Sequence, residues 1–173
     1  MYYKLRIMNY PTKKLLVLLS IVLFSVACSG NNPSPTQNTK PVYDYSHKLK
    51  IGEEILFVEI VSDEKKMQTG LSNLPNMNDN NGMLFDFGNK KVTPNFWMKD
   101  MLFDIDLIWI YKNKIVEITP DVTAPAKDEG LNIKNLKLPT YSPANAATRV
   151  LEVNAGWSKT NNIKVGDKIE LVN

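Results

Sequence analysis

The chain has 173 residues, with 21 Lys and Arg, 18 Asp and Glu, one histidine and one cysteine. So little histidine and cysteine excludes a disulfide framework, a zinc site of Cys and His ligands, and a Ser-His-Asp or Cys-His nucleophile inside the domain. The formal charge of +3 comes from four basic residues within the first 27; without them 17 Lys and Arg face 18 Asp and Glu, and a near-neutral domain with no basic run argues against nucleic acid as a partner.

Residues 1–27 carry Lys4, Arg6, Lys13 and Lys14, no acid, and a terminal apolar run LLVLLSIVLFSVA of 13 residues. That run is too short for a comfortable membrane span and predicts a secretory signal. Cys28 follows in SVAC, which resembles the lipobox of bacterial lipoproteins, where the cysteine is lipidated and becomes the new N-terminus. Ser25 stands where leucine is usual. An ordinary signal peptide with a spare thiol, or an uncleaved anchor, also places the domain outside the cytoplasm. On the lipobox reading the mature protein has 146 residues and meets the cell membrane through Cys28, and Ser29, being no aspartate, resembles an outer-membrane sorting signal. Residues 29–41, SGNNPSPTQNTKP, lack apolar side chains to bury, so 28–47 should be a lipidated cysteine and flexible linker and 48–173 one domain.

In the domain, ILFVEIV at 55–61 predicts a strand, and SDEKKMQTGL a short helix capped by Ser62 or Asp63 and stopped by Gly70. GMLFDF predicts a second strand and FWMK a third. IDLIWIY and KIVEIT flank Lys112 and Asn113 as a hairpin. The prolines at 120, 125, 139 and 143 predict loop over 120–145. RVLEV predicts a strand that runs into Asn154, an expected N-cap for a short helix through AGWSKTNN, and IKVGDKIEL returns to a strand across Gly166 and Asp167. The expected fold is mainly β: a compact single-domain antiparallel sandwich or barrel with two short helices, and no βαβ alternation long enough for a parallel sheet.

GLSNL, GMLFDF, FWMKDM with LFDIDLIWI, and VLEVNAGW with IKVGD resemble, in order, the signature blocks of the domain of unknown function 192 family. The resemblance implies a compact β-rich fold, frequent export or lipid anchoring, and no established reaction. Most relatives carry Asn-Thr and Pro-Leu-Asp after FWMK. Here Lys99 and Asp106 match, whereas Asp100, Met101 and Asp104 depart from the pattern.

Candidate chemistry rests on carboxylates. Asp100, Asp104, Asp106 and Glu152 are the candidates for the acid pair that glycan cleavage requires, against the plainer reading that they face solvent or pair with lysines. No EF-hand calcium loop is present, and neither a metal nor a cofactor is expected. Read as a strand, FWMKDM points Phe96, Met98 and Asp100 to one face and Trp97, Lys99 and Met101 to the other. That pattern suggests burial on both sides, with Asp106 as the partner that Lys99 would need. Trp97 and Lys99 are the expected wall of any cleft, Asn154 marks a helix start that could meet an anion, and Trp157 is a further candidate anchor. The expectation is an exported, lipid-anchored, non-catalytic module that binds an envelope polymer or protein; the alternative is a carboxylate-dependent hydrolase of envelope glycan.

Overall fold

The computed structural model describes residues 42–126 and 138–172. The expected signal, Cys28 and the tether up to residue 41 lie outside the described residues. Strands β1 (His47–Ile51) and β2 (Glu54–Val61) form a hairpin, followed by α1 (Glu64–Thr69), β3 (Asn81–Asp86), β4 (Phe96–Trp97), β5 (Ile105–Tyr111), β6 (Lys114–Val122), β7 (Thr140–Tyr141), β8 (Arg149–Asn154), α2 (Trp157–Thr160) and β9 (Ile169–Val172). Seven of these make one curled sheet in the order β6-β5-β8-β3-β2-β1-β9, and β4 pairs only with β7. The architecture is mainly β with two short helices, as the composition of the segments predicts.

Local chemistry explains most element ends. The Asp63 carboxylate accepts from the Lys66 amide at 2.8 Å and caps α1, and Gly70, at φ 51°, stops it. The β5–β6 hairpin turns at Lys112, itself at φ 58°, with Tyr111 opposite Lys114. At that same end the Ile115 amide donates to the Asp167 carbonyl at 2.9 Å and the Ile169 amide to Asn113 at 2.9 Å. These bonds draw the two outer strands of the sheet together and curl it toward a barrel.

Two departures from expectation follow from connection length. β2 and β3 run parallel, because the segment between them, which contains α1, is long enough to bring the chain back to the same end of the sheet. FWMK is not a central strand: only Phe96 and Trp97 are extended, and they lie outside the main sheet. The chain then bends through Asp100, which sits at φ 58°, with the Met101 amide on the Met98 carbonyl at 3.3 Å.

Each face of the sheet carries its own apolar cluster. One gathers Leu49, Leu56, Val58, Leu84, Ile108 and Leu151 with Trp157. The other gathers Val61, Met83, Phe85, Leu107 and Trp109 beneath Phe96, Met98 and Met101. Burial of both faces accounts for the near-continuous apolar character of β5, every residue of which is buried except Tyr111. Gly82 lies where β3 meets β8 closely: a Cβ there would come within 3.1 Å of the Glu152 carbonyl oxygen.

Candidate functional site

Asp104 and Asp106 stand where β5 begins, Asp100 lies in the bend after β4 and Glu152 within β8, and the four do different things. Asp106 is fully buried. One carboxylate oxygen accepts from the amides of Asp121 and Gly156, each at 3.0 Å, and the other from the Ser158 amide at 3.0 Å and the Ser158 hydroxyl at 2.6 Å. Four donors saturate the lone pairs of a carboxylate, so Asp106 has no free acceptor for a proton or substrate. It ties the end of β6 to the start of α2.

Asp104 is exposed and its carboxylate accepts from the Ala124 amide at 2.7 Å, while its carbonyl takes the Ala155 amide at 3.1 Å. Asp100 contributes backbone, its carbonyl accepting from the Asn73 amide at 2.7 Å. Glu152 is buried in β8, opposite Met83 and Leu107. The expected cluster of three aspartates is therefore a set of loop clasps, with at least one carboxylate or carbonyl oxygen of each holding a backbone amide.

Lys99 does not pair with Asp106. Its side chain is half exposed; its ammonium lies 3.8 Å from Asp100 and 5.8 Å from the centre of the Trp97 ring. The bend at Asp100 turns Lys99 outward, and that removes the desolvation penalty which would have demanded a buried partner. Lys99→Met and Asp106→Leu should consequently show additive stability losses, with Lys99→Met alone within about 0.5 kcal/mol of wild type in urea titrations. A coupling above about 1 kcal/mol between the two would contradict this geometry.

Asn154 is not a helix cap. It ends β8, and its amide donates to the Met77 carbonyl at 3.0 Å and to Asp79 at 3.1 Å, fastening the 73–80 loop to the sheet. The N-cap of α2 is Gly156, at φ 78° and without a side-chain cap. The anion met by the first amides of α2 is Asp106 itself. Trp157 is 8% exposed and belongs to the core, so it offers no outward anchor.

A second group joins Glu152 to residues that were not singled out from the sequence, Glu59, Tyr43 and Tyr45. Glu59, the lone acid in ILFVEIV, is buried, and the registers Glu59 to Met83 and Met83 to Glu152 put both glutamates in one row on the same face of the sheet. A cleft of about 390 Å³ opens over this row between Tyr43, Glu59, Lys66 and Met83. Glu59 accepts from the Lys66 ammonium at 3.0 Å, which raises the lysine's pKa, and also from the Asp44 amide. The Tyr43 hydroxyl donates to the Gly70 carbonyl at 3.1 Å. These contacts pin residues 43–45 across the sheet. Burial, then the charges of Glu152 and Glu59, push the Tyr43 phenol up, and burial with Tyr43 and Glu59 pushes Tyr45 up to about 12. Both shifts favour the protonated phenol at neutral pH, where Tyr43 donates to Gly70.

The Tyr45 hydroxyl is buried and has no hydrogen-bond partner among the described residues. Tyr45→Phe should therefore leave stability unchanged or raise it by about 1 kcal/mol at pH 7. With the phenol's folded pKa above its ordinary value of 10, stability is fully present below pH 10 and is lost as pH rises toward about 12, because the unfolded chain ionises first. Thermal melts across that alkaline window should fall less steeply for Tyr45→Phe than for wild type. An equally steep fall would mean that another group controls alkaline unfolding.

Among the described residues no three His, Cys, Asp or Glu side chains converge to hold a metal ion, and no helix is long and apolar enough to cross a membrane.

Two solved structures share this fold. A protein of Sinorhizobium meliloti 1021 described as a candidate transcription regulator aligns with a TM-score of 0.64 at 23% identity, over 76% of this chain and 98% of its own. A protein of unknown function from Novosphingobium aromaticivorans DSM 12444 aligns with a TM-score of 0.62 at 19% identity, over 82% of this chain and 99% of its own. No curated protein is significantly similar to the chain. The model of the DUF192 family, described as an uncharacterized ACR, matches residues 47–171, so the chain belongs to that family.

Proposed function

We propose that the protein is an exported bacterial lipoprotein, attached to a membrane through Cys28, whose domain is a non-catalytic binding module of the cell envelope. The observation that carries the non-catalytic part is the saturation of Asp106 by four donors at 2.6 to 3.0 Å. A general acid or nucleophile must leave one oxygen for the reacting atom, and this one does not. The anchoring part is supported by the basic leader, the apolar run and SVAC. Trp97 and Lys99, the one half-buried and the other exposed beside it, remain the outward-facing pair from the FWMK block.

The test is to incubate the full chain in detergent with purified envelope polymers, then analyse the retained fraction and the soluble products. Retention without fragments is the expected result. Fragments that disappear in a correctly folded carboxylate variant would establish the hydrolase instead. Mass spectrometry of the N-terminal peptide from the native host should show an acylated Cys28, and an unmodified thiol there would remove the anchor.

A further inference from the structure

The end of the sheet opposite Asp104 and Asp106 is basic. Lys91 and Lys112 hold their ammonium groups 5.3 and 5.8 Å from the centre of the Tyr111 ring. Both distances are within cation–π range, so one aromatic ring gathers two positive charges. Tyr111 lies opposite Lys114 in the β5–β6 hairpin, and Lys114 is in turn the bridge partner of Lys168 before β9. Like charges directly opposite across a ladder repel.

Three acids close in sequence are engaged elsewhere, and a fourth, Glu170, stands opposite Lys50 in the β1–β9 ladder. Asp86 accepts from Arg149 at 2.9 Å, Glu117 from the Ala144 amide at 2.8 Å, and Asp167 from the Lys164 amide at 2.7 Å. The salt bridges among the described residues use Lys66, Lys99 and Arg149, and none uses Lys91, Lys112, Lys114 or Lys168. In a domain of nearly zero net charge, four lysines that form no salt bridge among the described residues therefore share one end. Beside them runs an open groove of about 560 Å³, rimmed by Lys91 and Lys114 and floored by Ile115, Val116 and Ala146.

We propose that this groove binds a linear phosphate-bearing polymer of the envelope. The inference deepens the binding-module reading and rests on it. The chemistry fits on two counts. Lysine meets phosphate as a point charge and needs no planar fork, and like charges gathered at one end of the sheet lose part of their mutual repulsion when an anion binds among them. The apolar floor suits the CH groups of a polyol or sugar backbone between successive phosphates. The groove is open along its length, so an extended chain can lie in it, and the vesicle titration below separates that ligand from a lipid surface.

The experiment titrates the full chain in detergent with poly(glycerol phosphate) and follows binding by calorimetry. Parallel titrations use a neutral glucan, phosphatidylglycerol vesicles and duplex DNA. Binding to the phosphate polymer, steeply weakened by salt, is expected. The triple variant Lys91→Gln, Lys114→Gln, Lys168→Gln should bind about 100-fold more weakly, at about fivefold per lysine removed, and the corresponding arginine variant should restore binding. Lys168→Glu gives a second readout that misfolding cannot imitate. It should raise the melting temperature of the ligand-free protein by relieving the Lys114 repulsion, and at the same time weaken polymer binding.

Equal affinity of wild type and triple variant for the polymer would overturn the proposal. So would tighter binding to the vesicles or to DNA than to the polymer. Retention on another envelope component that the triple variant keeps would sink this site yet leave the binding-module reading intact, whereas release of polymer fragments would sink that reading.

Discussion

Replacing Asp106 with alanine should destabilise the domain by about 4 kcal/mol, the largest loss expected from any polar substitution in this chain. The variant leaves the amides of Asp121, Gly156 and Ser158 and the Ser158 hydroxyl without the acceptor they share. Asp106 is fully buried, so water does not replace the carboxylate without opening the structure. Asp106→Asn should fare little better, because its amide group would point a donor at donors. Asp104→Ala is the control: it removes one acceptor of an exposed amide at 2.7 Å and should cost about 1 kcal/mol. Urea denaturation of the three variants decides the matter. A loss for Asp106→Ala no greater than that of Asp104→Ala would mean that the four bonds are not a stabilising unit.

The second large effect is expected in the core. Trp109→Ala should cost about 3 to 5 kcal/mol, since the side chain is fully buried and the hole is lined by rings that cannot collapse into it. Phe96 stands edge-on to both neighbours, 5.0 Å from Phe85 at 87° and 5.6 Å from Trp109 at 82°. The Trp109 indole also donates to the Thr119 hydroxyl at 2.8 Å. Trp109→Phe keeps most of the volume, loses that bond, and should cost about 1 to 2 kcal/mol. Thermal and urea melts check both. If the alanine variant lost no more than the phenylalanine one, the ring cluster would not be the packing centre that the geometry describes.

This cluster answers what FWMKDM is for. Phe96, Met98 and Met101 are core residues, while Trp97 is half-buried and Lys99 exposed where the chain bends at Asp100. The alternation of Phe96 and Met98 was legible, whereas the burial and Asp106 partner expected for Lys99 were not found. The bend was not legible. A left-handed backbone at an aspartate depends on the Asn73 amide bonding to the Asp100 carbonyl, a partner 27 positions away in the chain.

Sequence by itself determined the elements whose cause is local. The β-branched and aromatic runs became β2, β5, β6 and β8, Asp63 and Gly70 bounded α1, and Lys112 and Asn113 made the hairpin turn, because propensity, capping and turn chemistry act within a few residues. The signature blocks likewise carried the family. Tertiary structure alone decided what each polar group does. Asn154 looked like a cap from its position before a helix, yet its side-chain amide donates to the Met77 carbonyl, and Asp106 takes the helix amides instead. Glu59 and Glu152 share a row only because β3 lies between their strands. Lys91, Lys112, Lys114 and Lys168 come from separated segments, so no run of charge announces them; curling of the sheet gathers them at one end. Partnership between side chains distant in sequence is set by register and sheet order, and those follow from the packing of the whole chain.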